Sequence, residues 1–161
     1  ASIAVQASIT GHLVVSTLHT NSSASTITRL EDMGIESYLI ADSVIGVIAQ
    51  RLVKRLCPAC KKRGKTNQKE MEILGITEPV SIFRPQGCQF CNNSGYKGRV
   101  AIHEIMHMDE TMKSMVTQTK SSESLRNLAS NNGMINLWTS CRSLVLKGVT
   151  SLQELMTLNS D

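Results

Sequence analysis

Aromatic side chains are scarce in this chain of 161 residues, which contains one Trp, two Tyr and two Phe. A core with so few rings must be built mainly from aliphatic side chains, and a protein that binds single-stranded nucleic acid by base stacking usually needs more of them. Long apolar runs are missing as well, since none approaches the ~20 residues of a membrane-spanning helix. The composition, with 41% apolar residues, therefore predicts one or two globular domains with an aliphatic core.

Acidic residues are missing from residues 51–65, although this stretch contains seven Lys and Arg residues. Because the formal net charge of the chain is +4, one interpretation is a surface for nucleic acid. Two of the five cysteines lie within this stretch and two more follow it in the same spacing, however, and a zinc ion bound by four thiolates is a dianionic cluster. Part of the basic run would then face that cluster, which weakens the nucleic-acid interpretation without removing it.

The most specific motif is a pair of Cys-x-x-Cys sequences, formed by Cys57 with Cys60 and by Cys88 with Cys91. Each pair turns the chain tightly enough to aim both sulfurs at one ion, and the two pairs together predict a tetrahedral zinc site. The alternatives are four ordinary buried cysteines or two disulfides. Metal-binding spacing also favours a reducing cytoplasm over a secreted disulfide scaffold. The fifth cysteine, Cys141, shares a predicted helix face with apolar residues and is expected to be buried among them.

Apolar periodicity and the positions of glycines predict the order of helices and strands. Helices are expected over residues 1–10, 21–33, 37–56 and 67–75, and strands over 13–18, 80–83 and 100–106. From Asp109 onward the pattern is helical, and Thr150 with Gln153 is the expected capping box of the last helix.

Two of these predictions matter for function. The strand 13–18 is an almost unbroken apolar run, which is typical of a strand buried on both faces of a parallel sheet. The end of the helix 37–56 is expected to place Arg51, Lys54 and Arg55 near its C-terminal dipole and near the thiolates that follow. The alternative for each of these residues is a solvated basic face.

Two histidines flank the predicted strand 13–18. Ligands of open α/β sheets lie beyond the carboxyl ends of strands, so His19 is the better candidate for an active site and His12 falls at the opposite end. A lone histidine is more often a structural residue, and spacing leaves that alternative open for both. His103 and His107 could ligate metal, but four thiolates are already present, so we expect them to be ordinary strand-face residues.

Residues 10–21, Thr-Gly-His-Leu-Val-Val-Ser-Thr-Leu-His-Thr-Asn, resemble the His box of the secretion ATPases, the hexameric motors of type II secretion and type IV pilus assembly. The resemblance extends over essentially the whole chain. Its further motifs, besides the cysteine pairs, are Arg29-Leu30-x-x-Met33-Gly34, Gln50-Arg51-Leu52, Gly95-Tyr96-x-Gly98-Arg99, Gly133-Met134 and Gly148-x-Thr150-x-x-x-Glu154. Retraction motors of this superfamily generally lack the four cysteines, so the cysteines favour the assembly or secretion branch.

The resemblance implies an α/β fold, namely the C-terminal part of a RecA-like P-loop ATPase domain, truncated and mostly helical here, followed by a zinc-binding segment and a small helical subdomain. Residues 1–56 would belong to the ATPase domain. Residues 57–107 would form the tetracysteine zinc-binding subdomain, and residues 108–161 the helical C-terminal subdomain.

The resemblance also implies roles and partners. His19 would contact the γ-phosphate or the attacking water, Thr20 would bind the nucleotide beside it, and His12 would support the site. Zinc would be structural, whereas ATP and Mg²⁺ would be bound by the full-length protein. That protein would be a cytoplasmic homohexamer, peripheral to the inner membrane and docked on a platform protein there, with no nucleic-acid partner.

One departure from the family limits these expectations. No Gly-x-x-x-x-Gly-Lys-Ser/Thr sequence occurs in the chain, and no acidic Walker B stretch occurs either. Both lie further towards the N-terminus in the family, and without a P-loop the phosphates and the magnesium ion are poorly held. The chain, which begins at Ala1, is therefore expected to be a fragment without ATPase activity of its own. The alternative functions are a zinc ribbon that binds nucleic acid through residues 51–65 and a structural protein-interaction domain.

Overall fold

The computed structural model describes residues 1–119 and 121–158 of the chain. Helices and strands of the described residues, in chain order, are α1 (Ser2–Ile9), α2 (Ser23–Asp32), α3 (Ser37–Ser43), β1 (Gly46–Leu56), β2 (Lys62–Lys65), α4 (Gln68–Leu74), β3 (Ser81–Arg84), β4 (Tyr96–His107), α5 (Glu110–Gln118), α6 (Ser122–Asn131), α7 (Leu137–Leu146) and α8 (Leu152–Thr157). Within these residues, no helix combines the length and the apolar character that crossing a membrane requires.

The chain folds into two compact units. The first unit contains residues 1–49 and 103–136, and the second contains residues 50–102 and 137–161. Strands β1 and β4 pair with each other, and each contributes residues to both units. The predicted division into an ATPase part (1–56), a zinc-binding subdomain (57–107) and a helical subdomain (108–161) stays a prediction.

The core of the first unit is aliphatic, as the scarcity of aromatic residues predicted, and it also contains methionines. Its innermost side chains are Ala24, Ile27, Ile40, Met106, Met112, Val116 and Leu125. The Ser22 side chain caps α2 by accepting a hydrogen bond from the Ser25 N–H at 3.2 Å, so this helix begins at Ser23, two residues after the predicted start at residue 21.

The segment 12–20 has no regular secondary structure, so the predicted buried strand 13–18 is wrong for this chain. Leu13 is 79% exposed and Val15 is 87% exposed. A strand becomes stable only when a neighbouring strand bonds its N–H and C=O groups, and none of the described strands pairs with this segment. The apolar pattern is therefore present without the sheet that would bury it.

The predicted helix 37–56 is also wrong beyond its first two turns. Helix α3 ends at Ser43, and residues from Gly46 form the strand β1. Val44, Ile45, Val47 and Ile48 surround that glycine in the sequence, and β-branched residues favour extended backbone over helix.

Hydrogen bonds near the two ends of β1 show that it runs antiparallel to β4. The Met108 N–H donates to the Ile45 carbonyl at 3.2 Å, and the Cys57 N–H donates to the Gly95 carbonyl at 2.9 Å. Since residues 51–55 lie on a strand, the expected interaction of their basic side chains with a helix C-terminal dipole does not occur.

The second unit packs α7 and α8 with α4 and with a hairpin of β2 and β3. The hairpin is antiparallel, with Lys62 opposite Arg84 and Lys65 opposite Ser81. The core of the second unit consists of Val53, Leu74, Ile82, Ile102, Cys141, Val145 and Leu155. Burial raises the pKa of the Cys141 thiol to about 11, so this residue remains a neutral, apolar group as predicted.

The last helix uses a different cap from the predicted one. The Ser151 hydroxyl accepts a hydrogen bond from the Glu154 N–H at 3.3 Å, so the predicted capping box of Thr150 and Gln153 is displaced by one residue. Thr150 is instead fully buried, and its hydroxyl donates to the Lys54 carbonyl at 2.7 Å.

Replacing Gly148 with alanine is expected to destabilise the protein by about 2–3 kcal/mol, measured by chemical denaturation. Gly148 has a φ of +68°, and an added Cβ would overlap the ring of Phe83. Gly75→Ala is the matched control, because Gly75 has a φ of +59° at the end of α4 but open space around its Cβ position. We expect about 1 kcal/mol for the control, and equal losses for both variants would contradict the packing argument.

Candidate metal centre and candidate nucleotide loop

The four cysteines of the two Cys-x-x-Cys sequences converge in the second unit. Their sulfur atoms all lie within 4.8 Å of one another, and we call this group the four-cysteine cluster. The Sγ distances are 3.9 Å from Cys57 to Cys88, 3.8 Å from Cys60 to Cys91 and 3.7 Å from Cys88 to Cys91. Sulfurs bound at ~2.3 Å to one tetrahedral ion lie ~3.8 Å apart, so the cluster could bind a metal ion.

The disulfide alternative does not describe this cluster. All five cysteines are free thiols, and the Sγ separations exceed the ~2.05 Å of a disulfide bond by a wide margin. A donor set of four sulfurs fits zinc better than magnesium or calcium, which prefer oxygen ligands.

Tight backbone turns aim the sulfurs inward. In the first pair, the Lys61 N–H donates to the Cys57 carbonyl at 3.0 Å, and in the second the Asn93 N–H donates to the Cys88 carbonyl at 2.9 Å. The second turn passes through left-handed backbone at Asn92 (φ 50°) and Asn93 (φ 59°). Asparagine tolerates this conformation better than most residues, which explains why two asparagines follow Cys91.

Backbone N–H groups polarise one sulfur of the cluster. Burial by itself would raise the pKa of the Cys91 thiol, but N–H groups of Cys88 (3.3 Å) and Gly95 (3.2 Å) donate to its Sγ and lower the pKa to about 6. Burial raises the pKa of the Cys60 thiol to about 11. A bound divalent cation would stabilise the thiolate form of all four residues.

Part of the basic run is used within the second unit. The Lys61 ammonium donates to the Gly148 carbonyl at 2.8 Å and lies 4.5 Å from the centre of the Phe83 ring. Lys54 lies 3.5 Å from the Glu154 carboxylate. These two charges therefore stabilise the unit around the cluster.

The residues 148–154 hold the end of β1 immediately before the first cysteine. The Leu56 N–H donates to the Val149 carbonyl at 2.9 Å, and the Lys54 N–H donates to the Glu154 carboxylate at 2.8 Å. These bonds fix the end of the strand that leads into Cys57. Sequence reasoning singled out the motif that begins at Gly148 but missed this role, because the contact joins residues about 100 positions apart.

The candidate nucleotide loop comprises residues 12–20 of the first unit. Both His12 and His19 are exposed. Thr20 is half-buried, and its hydroxyl lies 2.9 Å from the Thr26 hydroxyl on α2. His12 Nδ1 lies 3.2 Å from the Thr10 hydroxyl. The last residues of the loop are thus tied to α2, and the catalytic role of the two histidines stays a prediction.

A buried carboxylate at the start of α2 was missed by sequence reasoning. Glu104 on β4 is only 4% exposed, and its Oε1 accepts hydrogen bonds from the Ser23 N–H (3.0 Å) and from the Ser23 hydroxyl. The available signal was the alternation of β4, which places Glu104 on the same face as the apolar residues Ile102 and Met106.

The fold is shared with a motor of known structure. The crystal structure of the pilus retraction motor PilT with bound ADP matches 99% of this chain and 36% of that chain, with a TM-score of 0.64 and 20% sequence identity. This likeness places the chain in the α/β class with a RecA-like fold, and it confirms the predicted fold class.

Sequence comparisons then identify the family. The family described as type II/IV secretion system protein matches residues 1–157, so this chain belongs to that family. Type II secretion system protein E of Pseudomonas aeruginosa is 43% identical over the whole chain, which covers 32% of that relative. Type II secretion system ATPase E of Vibrio cholerae is 39% identical over the whole chain and 32% of its own length. The type IV pilus assembly ATPase TfpB of Acinetobacter baylyi is 41% identical over 97% of the chain and 27% of its own length.

Two facts follow from these matches. The resemblance inferred from the sequence motifs is confirmed, and the relatives are type II secretion proteins and type IV pilus assembly ATPases. The chain spans about a third of the length of these curated relatives.

Proposed function

We propose that this chain is part of an ATP-hydrolysing motor subunit that powers type IV pilus assembly or type II protein secretion. The observation that carries the proposal is sequence identity of about 40%, over nearly the whole chain, to relatives named as type II secretion and type IV pilus assembly ATPases. The RecA-like fold is consistent with this function.

The nucleotide role is assigned to the loop 12–20. We propose that His19 contacts the γ-phosphate or the attacking water, that Thr20 binds the nucleotide beside it, and that His12 supports the site. The exposure of both histidines leaves their rings accessible to a nucleotide held by the rest of the motor. ATP and Mg²⁺ need the P-loop and Walker B residues, which this sequence does not contain.

The four-cysteine cluster is assigned a structural role. We propose that Cys57, Cys60, Cys88 and Cys91 bind Zn²⁺ and that the ion holds residues 57–107 together, between the ATPase part (1–56) and the helical part (108–161). The sulfur distances near 3.8 Å support tetrahedral coordination. Cysteine sulfurs would occupy all four coordination positions of the ion, so no position would be open to a substrate and the ion would stabilise the fold.

The assembly is proposed from the resemblance to the secretion ATPases. The full-length protein would form a homohexamer in the cytoplasm, peripheral to the inner membrane, and would bind a platform protein of the pilus or secretion machine. Nucleic acid is not among the proposed partners. Deleting the gene in its host should abolish surface pili or the release of secreted proteins, and a strain that retains both would contradict the proposed function.

The isolated chain is expected to hydrolyse ATP at the rate of a buffer blank, because it has no P-loop to hold the phosphates and the metal. The full-length protein, assayed in parallel for phosphate release, should turn over about 1 s⁻¹ or slower, at the low end of ordinary enzymes. Titration with a fluorescent ATP analogue should show binding to the full-length protein only. Turnover by the purified isolated chain would show that this chain carries a complete site.

A further inference from the structure

Helix α2 begins inside the core of the first unit, where its backbone donors need protein acceptors. Ser22 is 6% exposed and Ser23 is 0% exposed, so water has little access to the first turn. The first N–H groups of a helix have no partner within the helix, and leaving them buried and unbonded is costly. Ser22 satisfies the Ser25 N–H, and Glu104 satisfies the Ser23 N–H.

Glu104 supplies this acceptor from a distant strand. One carboxylate oxygen accepts both the Ser23 N–H and the Ser23 hydroxyl, which joins residues 81 positions apart. A carboxylate at a helix N-terminus is further stabilised by the helix dipole, and hydrogen bonds to a charged acceptor are stronger than neutral ones. The start of α2 is thereby fixed to β4 at a specific residue.

The position of the loop 12–20 depends on that fixed start. The loop has no regular secondary structure, and it leads into α2 three residues after Thr20. The Thr20 hydroxyl lies 2.9 Å from the Thr26 hydroxyl, one turn into the same helix. A shift of the α2 N-terminus would therefore move Thr20 and the adjacent His19.

We propose that Glu104 is a positioning residue for the nucleotide loop: through Ser23 it holds the start of α2, and hence His19 and Thr20, in the geometry that ATP hydrolysis requires. This inference rests on the proposed function. A displacement of about 1 Å at a reacting group can lower a rate about 100-fold, so the contact affects turnover more than nucleotide affinity.

The test uses the full-length motor with Glu104→Ala, Glu104→Gln and Ser23→Ala. Glu104→Ala should lower kcat about tenfold or more while KM for ATP changes less than threefold. Glu104→Gln keeps an oxygen that accepts the Ser23 N–H and should recover much of the lost rate. Ser23→Ala removes the hydroxyl donor but keeps the N–H, so its kcat should lie between those of the wild type and Glu104→Ala.

Glu123→Ala is the matched control, since Glu123 is an exposed glutamate in the first turn of α6 in the same unit. It should leave kcat within twofold of the wild type. A folded Glu104→Ala variant with normal kcat would overturn the proposal. A kcat of Glu104→Gln as low as that of Glu104→Ala would also overturn it. If Glu104→Ala does not fold, a Ser23→Ala variant with an unchanged kcat overturns the proposal, and a lowered kcat with unchanged KM supports it.

Amide hydrogen exchange of the full-length variants provides a readout that does not depend on turnover. Glu104→Ala should increase exchange at residues 20–26 at least tenfold, and Glu104→Gln should restore most of the protection. A wild-type motor without ATPase activity would refute the proposed function, and exchange would still decide whether Glu104 holds the loop. Unchanged exchange in Glu104→Ala would refute the positioning role even in an active motor.

Discussion

Replacing Cys88 with serine is expected to release the metal from the four-cysteine cluster and to make residues 57–95 sensitive to proteases. Structural zinc contributes on the order of 10–16 kcal/mol of apparent binding free energy in small zinc peptides, which exceeds most single contacts in a protein. The helices of the first unit should persist, because their core of Ile27, Ile40 and Leu125 contains no residue of the cluster. Limited proteolysis followed by mass spectrometry locates the cuts.

The structure also indicates where cleavage begins. Leu74 and Ile82, between the two cysteine pairs, are each 1% exposed and belong to the core of the second unit, so they still anchor α4 and β3. The turn 86–94 depends more directly on sulfur, since N–H groups of Cys88 and Gly95 bond to Cys91 Sγ. The first cuts should therefore fall in this turn.

Cys141→Ala provides the control for this experiment. Cys141 is fully buried in α7 and is not a member of the cluster, so its loss should leave the metal content at one zinc ion per chain. A chelator should reproduce the protease sensitivity in the wild type and in Cys141→Ala. Unchanged proteolysis of Cys88→Ser, or full zinc content in that variant, would contradict the structural role of the ion.

Structural features that depend on residues close together in the sequence were predictable. The approach of the two sulfurs within each cysteine pair follows from a tight turn, which the two-residue gap between its cysteines encodes. Helix α4 was predicted within one residue, because Asn67 caps it and Gly75 ends it in left-handed conformation. The aliphatic cores followed from composition alone.

Features that depend on distant partners were not predictable in the same way. The apolar residues between Ile40 and Leu56 fit a helix as well as a strand, and pairing with β4 decides in favour of the strand from Gly46 onward. The run 13–18 has the composition of a buried strand. It does not form one, because none of the described strands pairs with it. The local sequence pattern indicates that these segments are apolar, but it does not identify the strand with which each would pair.

The candidate sites divide along the same line. The four cysteines share a local motif and their sulfurs lie together in the structure, whereas the contact of Glu104 with Ser23 joins two polar residues that no local spacing relates. Position after an apolar run singled out His19, and the strand on which that argument relied is missing here. Its assignment now depends on family membership and on the tie of Thr20 to α2.

His19→Ala is expected to lower kcat of the full-length motor about 100-fold or more, with KM for ATP changed only a few-fold. Removing one hydrogen-bond donor from a developing negative charge typically costs a factor of 10²–10³ in kcat, and the imidazole is proposed to act at the γ-phosphate. Because His19 is exposed in this chain, its loss should leave the thermal unfolding temperature unchanged within a degree or two. The change in rate would therefore report on chemistry and not on stability.

Variants of two further histidines test whether the effect is specific to His19. His107 is exposed on β4 in the same unit, so His107→Ala should leave kcat within twofold of the wild type. His12→Ala should lower kcat less than His19→Ala does, because His12 is proposed to support the site from the other end of the loop. Steady-state phosphate release with each variant gives kcat and KM separately. A His19→Ala motor that keeps kcat within threefold of the wild type would remove this residue from the mechanism, and the γ-phosphate contact would then have to come from another residue.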